Sequence, residues 1–462
     1  MSTIPSILIR NADIVNERRS FKGDLFVRNG RIDRIDASIS KSADIEIDAS
    51  GKALLPGMID CHVHFREPGL THKGDMQSES CAAVAGGVTS VMEMPNTKPP
   101  AVTNDLLEEK FTLAAQKMAT NYSFYLSAAN DNLDEIKAVD PQNVCGVKVF
   151  MGSSTGNLLV DQEKALDALF REVPVPLAAH CETREIITRN EEIFREKYGD
   201  KTPFSAHPHI RSEEACFRSS ELAVQLARKY DTRLHILHVS TARELELFDD
   251  RTIRISSPRE SEFFEEHDET AKNITAEACI HHLFFSDADY ETKGALIKCN
   301  PAIKKASDRD ALLRGLLTDR LDTIGTDHAP HTLKEKQGTY WATPSGIPLI
   351  QSALPSVLEH FHSGLLPLEV IVEKTAHNPA RIFSVKERGF LREGYWADLV
   401  LVDLNRPSKV TRESILSKCG WSPFEGVTFR SSVDTTIVSG QIAWQNGKVN
   451  SAIRSQRLKF AR

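Results

Sequence analysis

From about residue 56 to 384, short apolar runs alternate with helical patterns. The runs fall at 54–60, 88–94, 121–128, 144–151, 175–180, 232–239, 274–280 and 323–326. Runs this short suit strands better than helices. Strands separated by helices pair in parallel, because the chain must cross back over the sheet before adding the next strand. One of these helices is clear: Ser212 can cap its first turn, and Ala215, Leu222, Ala223, Leu226 and Ala227 fall on one face. Eight strand–helix units predict an α/β fold of the (β/α)8 barrel type.

The two ends of the chain look alike and differ from the middle. Near the start, two alternating runs at 24–28 and 31–35 meet at Asn29-Gly30, a strong tight-hairpin signal. Near the end, 397–402 reads as a strand, Ser439-Gly440 separates 436–438 from 441–444, and Asn446-Gly447 marks another turn. These segments are expected to join into one small β-sandwich. The expected organisation is therefore 1–55 and 385–462 as two parts of a β domain around a catalytic barrel at 56–384.

Composition narrows the function. The chain has 462 residues, 40% of them hydrophobic and 26% charged, as in ordinary globular proteins. A net charge of −7 without any basic run argues against a nucleic-acid partner. No apolar run approaches the ~18 residues of a membrane helix. The first ten residues lack a basic stretch followed by an apolar core, so no leader is expected. Eight scattered cysteines without a Cys-x-x-Cys pair suit reduced thiols, and a cytoplasmic location is expected. The charged stretch 251–272 reads as a surface loop.

Barrel enzymes carry their chemistry where the strands end. The first run closes on Asp60-Cys61-His62-Val63-His64-Phe65-Arg66. Side chains two apart on a strand point the same way, so His62 and His64 present two imidazoles together. Such a pair suits a borderline cation such as zinc. Arg66 adds a fork that can clamp a carboxylate. The later strand ends bring Asn96, Lys148, His180, His238, Asp327 and His331. A lone histidine after an apolar run is more often a hydrogen-bonded core residue than a ligand. Four of them with an aspartate, all at strand ends, resist that reading.

The ordered set His62-Val63-His64-Phe65-Arg66-Glu67-Pro68-Gly69, Met94-Pro95-Asn96-Thr97, Gly146-Val147-Lys148, His180-Cys181-Glu182, His235 to Ser240, Asn273-Ile274-Thr275-Ala276-Glu277, Asn300-Pro301-Ala302 and Thr326-Asp327-His328-Ala329-Pro330-His331 resembles the cyclic amidohydrolases of the urease-related superfamily. Within it, the long bacterial-type dihydroorotase class is the best match. The resemblance spans nearly the whole chain. It implies a barrel holding two divalent metals, usually zinc, bridged by a hydroxide. By position, His62, His64 and Asp327 would hold the buried metal, and His180 and His238 the exposed one. Lys148 matches a lysine that is N6-carboxylated and bridges both metals. A plain ammonium beside two dications would be repelled, so only the anionic carbamate serves. The lysine leans toward the allantoinase and hydantoinase pattern, since many of the long bacterial class have an aspartate in or near this region.

Arg66, Asn96 and His331 match the clamp for the substrate carboxylate. Asn300 matches a ring contact, and the backbone of Gly346-Ile347-Pro348 would line the ring. The expected reaction is reversible hydrolysis of dihydroorotate to N-carbamoyl-aspartate, with Asp327 as general base and then acid. An allantoinase or other cyclic-imide hydrolase is the alternative within the class, and a metal-free assembly scaffold the alternative outside it. The implied partner is a small molecule, with no nucleic acid or membrane; a homo-oligomer is compatible with the sequence.

Overall fold

The structure, a computed structural model, describes residues 4–152, 158–249, 273–450, 452, 453 and 455–462. The expected surface loop at 251–272 lies outside the described residues. Eight strands form one sheet in sequence order: Met58–Val63, Val88–Glu93, Asn121–Ser127, Gly146–Met151, Leu177–Cys181, Leu234–Ile236, Ile274–Cys279 and Thr323–Gly325. Every neighbouring pair is parallel. The ring closes where Val63 bridges His328 in parallel and the His64 amide donates to the His328 carbonyl at 2.7 Å. Strands buried on both faces read as continuous apolar runs, which is why all eight were legible. The result is a closed barrel of the TIM type.

The remaining strands join the two chain ends in one mixed sheet of nine strands. Strand Leu399–Asp403 lies between Ala53–Pro56 and Ser432–Val438, antiparallel to both, and so stitches the C-terminal part onto the N-terminal part. Strand Ile7–Asn16 carries Ile45–Asp48 along its first half and Ala53–Pro56 along its second, so the sheet forks there. All three predicted turns form: Asn29 and Gly30, Ser439 and Gly440, and Asn446 and Gly447 take positive φ, as a primed hairpin turn requires. The first two turns touch, since a Cβ on Gly440 would come within 2.3 Å of the Gly30 Cα.

Two expectations need correction. The run 54–60 is two strands, not one. Ala53–Pro56 belongs to the mixed sheet, and the chain passes into the barrel at Gly57, whose amide bonds the Asp398 carbonyl. Gly57 is pressed so close to Thr89 that a Cβ would lie 2.2 Å from its methyl group. The second correction concerns helix Glu213–Tyr230. Ser212 caps it by accepting from the Ala215 amide, and Ala215, Ala223 and Ala227 are buried. Leu222, however, is 44% exposed, because Cys216, Phe217, Ser219, Ser220 and Val224 complete the buried face and it lies outside them.

Candidate active site

His62 is the last residue but one of the first strand, His64 follows it, and Asp327 lies two residues beyond the eighth. Closure of the barrel sets the two strand ends side by side. His62 Nε2 is 3.2 Å and His64 Nε2 is 3.1 Å from the same oxygen, Asp327 Oδ1. The other ring nitrogens are fixed: His62 Nδ1 donates to Glu277 Oε1 and His64 Nδ1 to Asn96 Oδ1, each at 2.8 Å. In the neutral rings each Nε2 then points a lone pair at a carboxylate oxygen, while a proton or a cation between them would satisfy both. Acceptors converging in this way are completed by a cation, and outer hydrogen bonds of this kind orient metal-ligating histidines. The three ligand atoms lie within 4.8 Å of one another, so the donor set fits a divalent ion.

Electrostatics agree with this reading. Burial opposes a charge on His62, yet Asp327 and Glu277 raise its pKa. The pocket thus favours positive charge there. Burial, with the charges of Arg66 and His62, lowers His64 to about 4. Burial also opposes ionisation of Asp327, but His62, His64 and His238 hold it well below the usual carboxylate range. His238 and Asp327 both sit at positive φ, +39° and +48°, as residues held in a functional geometry often do.

Across the barrel mouth, His180 Nδ1 faces His238 Nε2 at 2.8 Å, with the rings edge-on. His180 Nε2 donates to Glu182 Oε2, which also pairs with Arg211. Burial lowers both imidazoles, so both are neutral donors suited to a cation. His238 lies next to His62, ring centroids 5.3 Å apart, which makes the two halves one site. Lys148, in the fourth strand, is almost fully buried, and burial lowers its pKa to about 7. Its Nζ lies over the Phe150 ring and, among the described residues, has no hydrogen-bond or ion-pair partner.

Arg66 follows His64 at φ +70° and turns its guanidinium toward the loop after the eighth strand. Nε donates to the Pro330 carbonyl at 3.0 Å, and Nη2 is 3.2 Å from His331 Nε2. Burial lowers Arg66 to about 10. Among the described residues no carboxylate reaches ion-pair distance of it. His331 also takes a hydrogen bond from Lys73 Nζ at 3.0 Å. Burial and the nearby cations Arg66, Lys73 and Lys336 lower its pKa, so the imidazole stays neutral. Asn96 lies against His64 rather than against Arg66, so one carbonyl oxygen is already committed. Asn300 hydrogen-bonds none of these groups; its Oδ1 is buried without a partner.

Several contributors had no assigned role in the sequence. Glu277 receives His62, the His238 amide and the Cys279 thiol on one oxygen. Its signal was a single acid inside an apolar strand run. Lys336 is buried and donates to the Lys298, Pro344 and Gly346 carbonyls, anchoring the backbone of residues 344–346. Trp421, from the C-terminal part, donates to the His331 carbonyl at 2.7 Å. Nothing in the local sequence of Lys336 or Trp421 announces these contacts.

A parallel barrel with a buried histidine–aspartate cluster at its strand ends defines the class: the chain belongs to the amidohydrolase family, whose model matches residues 53–443. Within that family it is dihydroorotase-like. It is 33% identical over 429 residues to a dihydroorotase of Halobacterium salinarum, covering 92% of this chain and 95% of that one. A dihydroorotase of Methanosarcina acetivorans is 30% identical over 455 residues, with 97% and 94% covered. Among solved structures, an L-hydantoinase (dihydropyrimidinase) from Arthrobacter aurescens superposes with a TM-score of 0.88 at 26% identity, covering 96% of this chain and 97% of that one. Among the described residues, no helix is long and apolar enough to cross a membrane.

Proposed function

We propose that this enzyme opens and closes the six-membered cyclic amide of dihydroorotate, interconverting it with N-carbamoyl-aspartate. The observation that carries the substrate is Arg66. A buried guanidinium with no carboxylate in contact among the described residues calls for an anion from outside the chain. It stands beside the His62, His64 and Asp327 cluster, where a ring bearing one carboxylate could present its amide. The relatives named dihydroorotase support the same reading.

In this reading His62, His64 and Asp327 hold one divalent cation, zinc by donor type. His180 and His238 would hold a second, and Lys148, as its carbamate, would supply the anionic oxygen ligands between the two histidine groups. Burial favours that modification, because an amine titrating near 7 is substantially neutral at neutral pH and can react with carbon dioxide. The bound cations supply Lewis acidity to the amide carbonyl and lower the pKa of the attacking water. Arg66 takes the substrate carboxylate through two parallel charge-assisted hydrogen bonds, with His331 and the Asn96 amide beside it. Asn300, with its free Oδ1, offers an acceptor to a ring N–H. Asp327, held ionised, accepts the proton of the attacking water and returns it to the leaving ring nitrogen. Ring closure runs the same transfers in reverse.

The test is direct. Purified protein supplied with zinc and N-carbamoyl-L-aspartate should form dihydroorotate, followed by NMR. Turnover of hydantoin or dihydrouracil with none of dihydroorotate would overturn the substrate while sparing the reaction class.

A further inference from the structure

A second cluster of ligand-type side chains lies beyond the seventh strand and shares no residue with the site above. His281 and His282 stand in the first turn of the short helix Ile280–Phe284, and Cys299 lies on the segment that leads toward the eighth strand. All three are buried, at 1%, 3% and 2% exposure. One ligand atom from each falls within 4.8 Å of the others, and the two imidazole centroids are 4.1 Å apart.

Their hydrogen bonding is incomplete in a telling way. His282 Nε2 donates to the Pro301 carbonyl at 3.1 Å, which leaves Nδ1 as a lone pair without a partner. Neither nitrogen of His281 completes a well-formed hydrogen bond, although the Thr326 backbone lies close enough to favour a proton on the ring. Buried polar atoms are paired in the great majority of cases, so two imidazole nitrogens left over in one place, one on each ring, need an explanation. The Cys299 thiol, 3.2 Å from the same Pro301 carbonyl, supplies a soft donor next to them.

We propose that His281, His282 and Cys299 form a separate binding site for a soft or borderline divalent cation of the zinc class. Two imidazoles and a thiolate are a donor set of the structural-zinc kind, and hard cations such as magnesium are poorly served by it. On binding, the Cys299 S–H gives its proton to solvent as the sulfur–metal bond forms. The Pro301 carbonyl then loses its thiol donor and is at hand as an oxygen ligand. Burial lowers His281 to about 4 and holds His282 well below its ordinary value, so both rings are already neutral. Burial raises the Cys299 thiol, and Lys304 and Lys336 work in the opposite direction. Such an ion would staple the helix after the seventh strand to the segment carrying Asn300, and so fix one wall of the substrate site without touching the reacting atoms.

Cadmium tests this on the whole chain, because its bonds to sulfur absorb in the ultraviolet and shift its own NMR signal. The proposed main site uses nitrogen and oxygen donors only. Metal-stripped protein titrated with cadmium should develop a sulfur-to-metal band that saturates at one equivalent. That band should vanish in Cys299→Ser and persist in Cys279→Ser, the control for the other thiol near a candidate site. Zinc-loaded Cys299→Ser should retain one equivalent less than wild type. Cadmium NMR of the unaltered chain serves if the variant fails to fold: a signal in the sulfur-ligated range supports the site. No band or no such signal in the wild type, or a band unchanged in Cys299→Ser, overturns it. A wild-type enzyme that binds no metal at the histidine–aspartate cluster would still give a readable result here, so the two readings fail separately.

Discussion

His62 and Arg66 are four residues apart on one segment, yet their surroundings are built in opposite ways. Around His62 the chain provides its own counterparts: Glu277 and Asn96 fix the outer nitrogens of His62 and His64, and Asp327 meets the inner ones. Around Arg66 it gathers Lys73, His331 and Lys336 but, among the described residues, sets no carboxylate against the guanidinium. The first region is organised before any substrate arrives. The second has carboxylates only at longer range, Asp327 foremost, and among the described residues none in contact with the guanidinium. Under the proposed function, reaction class and substrate choice are separable: the first would come from the strand ends and the second from the loops.

That separation can be broken experimentally. The largest effect is expected at Asp327. Asp327→Asn should lower kcat by about 10²–10⁴ on every substrate, charged or neutral, because it removes proton transfer and a metal ligand together. Stripping metal with a chelator should abolish activity on all substrates, and zinc should restore it. A variant that lost only dihydroorotate turnover would refute the division.

Arg66→Met comes next. It should cost on the order of 2–5 kcal/mol in kcat/KM for dihydroorotate, since the substrate carboxylate would be desolvated without its partner. Any trace activity on dihydrouracil should hardly change. Equal losses on both would make Arg66 a structural residue.

Glu182 sharpens the organised side. Burial pushes its carboxyl up, but Arg211 and His180 outweigh that and hold it at about 2. A folded pKa below the unfolded one gives stability that is complete above about 4.3 and disappears as pH falls toward 2. Glu182→Gln should therefore flatten acid unfolding over that window, by on the order of 2–3 kcal/mol. An unchanged acid transition by circular dichroism would count against the paired carboxylate.

The smallest effect is at Lys148. Carbamate formation needs the neutral amine, and with a pKa of about 7 that fraction grows as pH rises and then levels. Reactivation of metal-free enzyme by zinc and bicarbonate should quicken about fivefold between pH 6 and 7 and little beyond about 8. A rate independent of pH, or of bicarbonate, would contradict the carbamate.

Much of this was legible in the sequence because barrel strands buried on both faces leave unbroken apolar runs, and reactive side chains stand just past them. His62, His64, His180, His238 and Asp327 all announce themselves in that way. Where the signal was weaker, packing decided. Gly57 looked like the middle of a strand because nothing local records that Thr89 presses against it. Leu222 looked buried because leucine usually is, but the buried face of that helix is centred on Ala215, Ser219, Ala223 and Ala227 and leaves it outside. Lys336 and Trp421 reach the clamp from segments distant in sequence, a placement fixed only by the tertiary fold.

The central claim is that Arg66 makes this site one for a ring carrying a carboxylate. The most direct measurement is kcat/KM for dihydroorotate relative to dihydrouracil, hydantoin and allantoin, in wild type and Arg66→Met under the same zinc and pH. The account predicts a wild-type preference for dihydroorotate of at least about 30-fold that collapses in the variant. A wild-type preference for a neutral ring, or a preference untouched by the substitution, would contradict it.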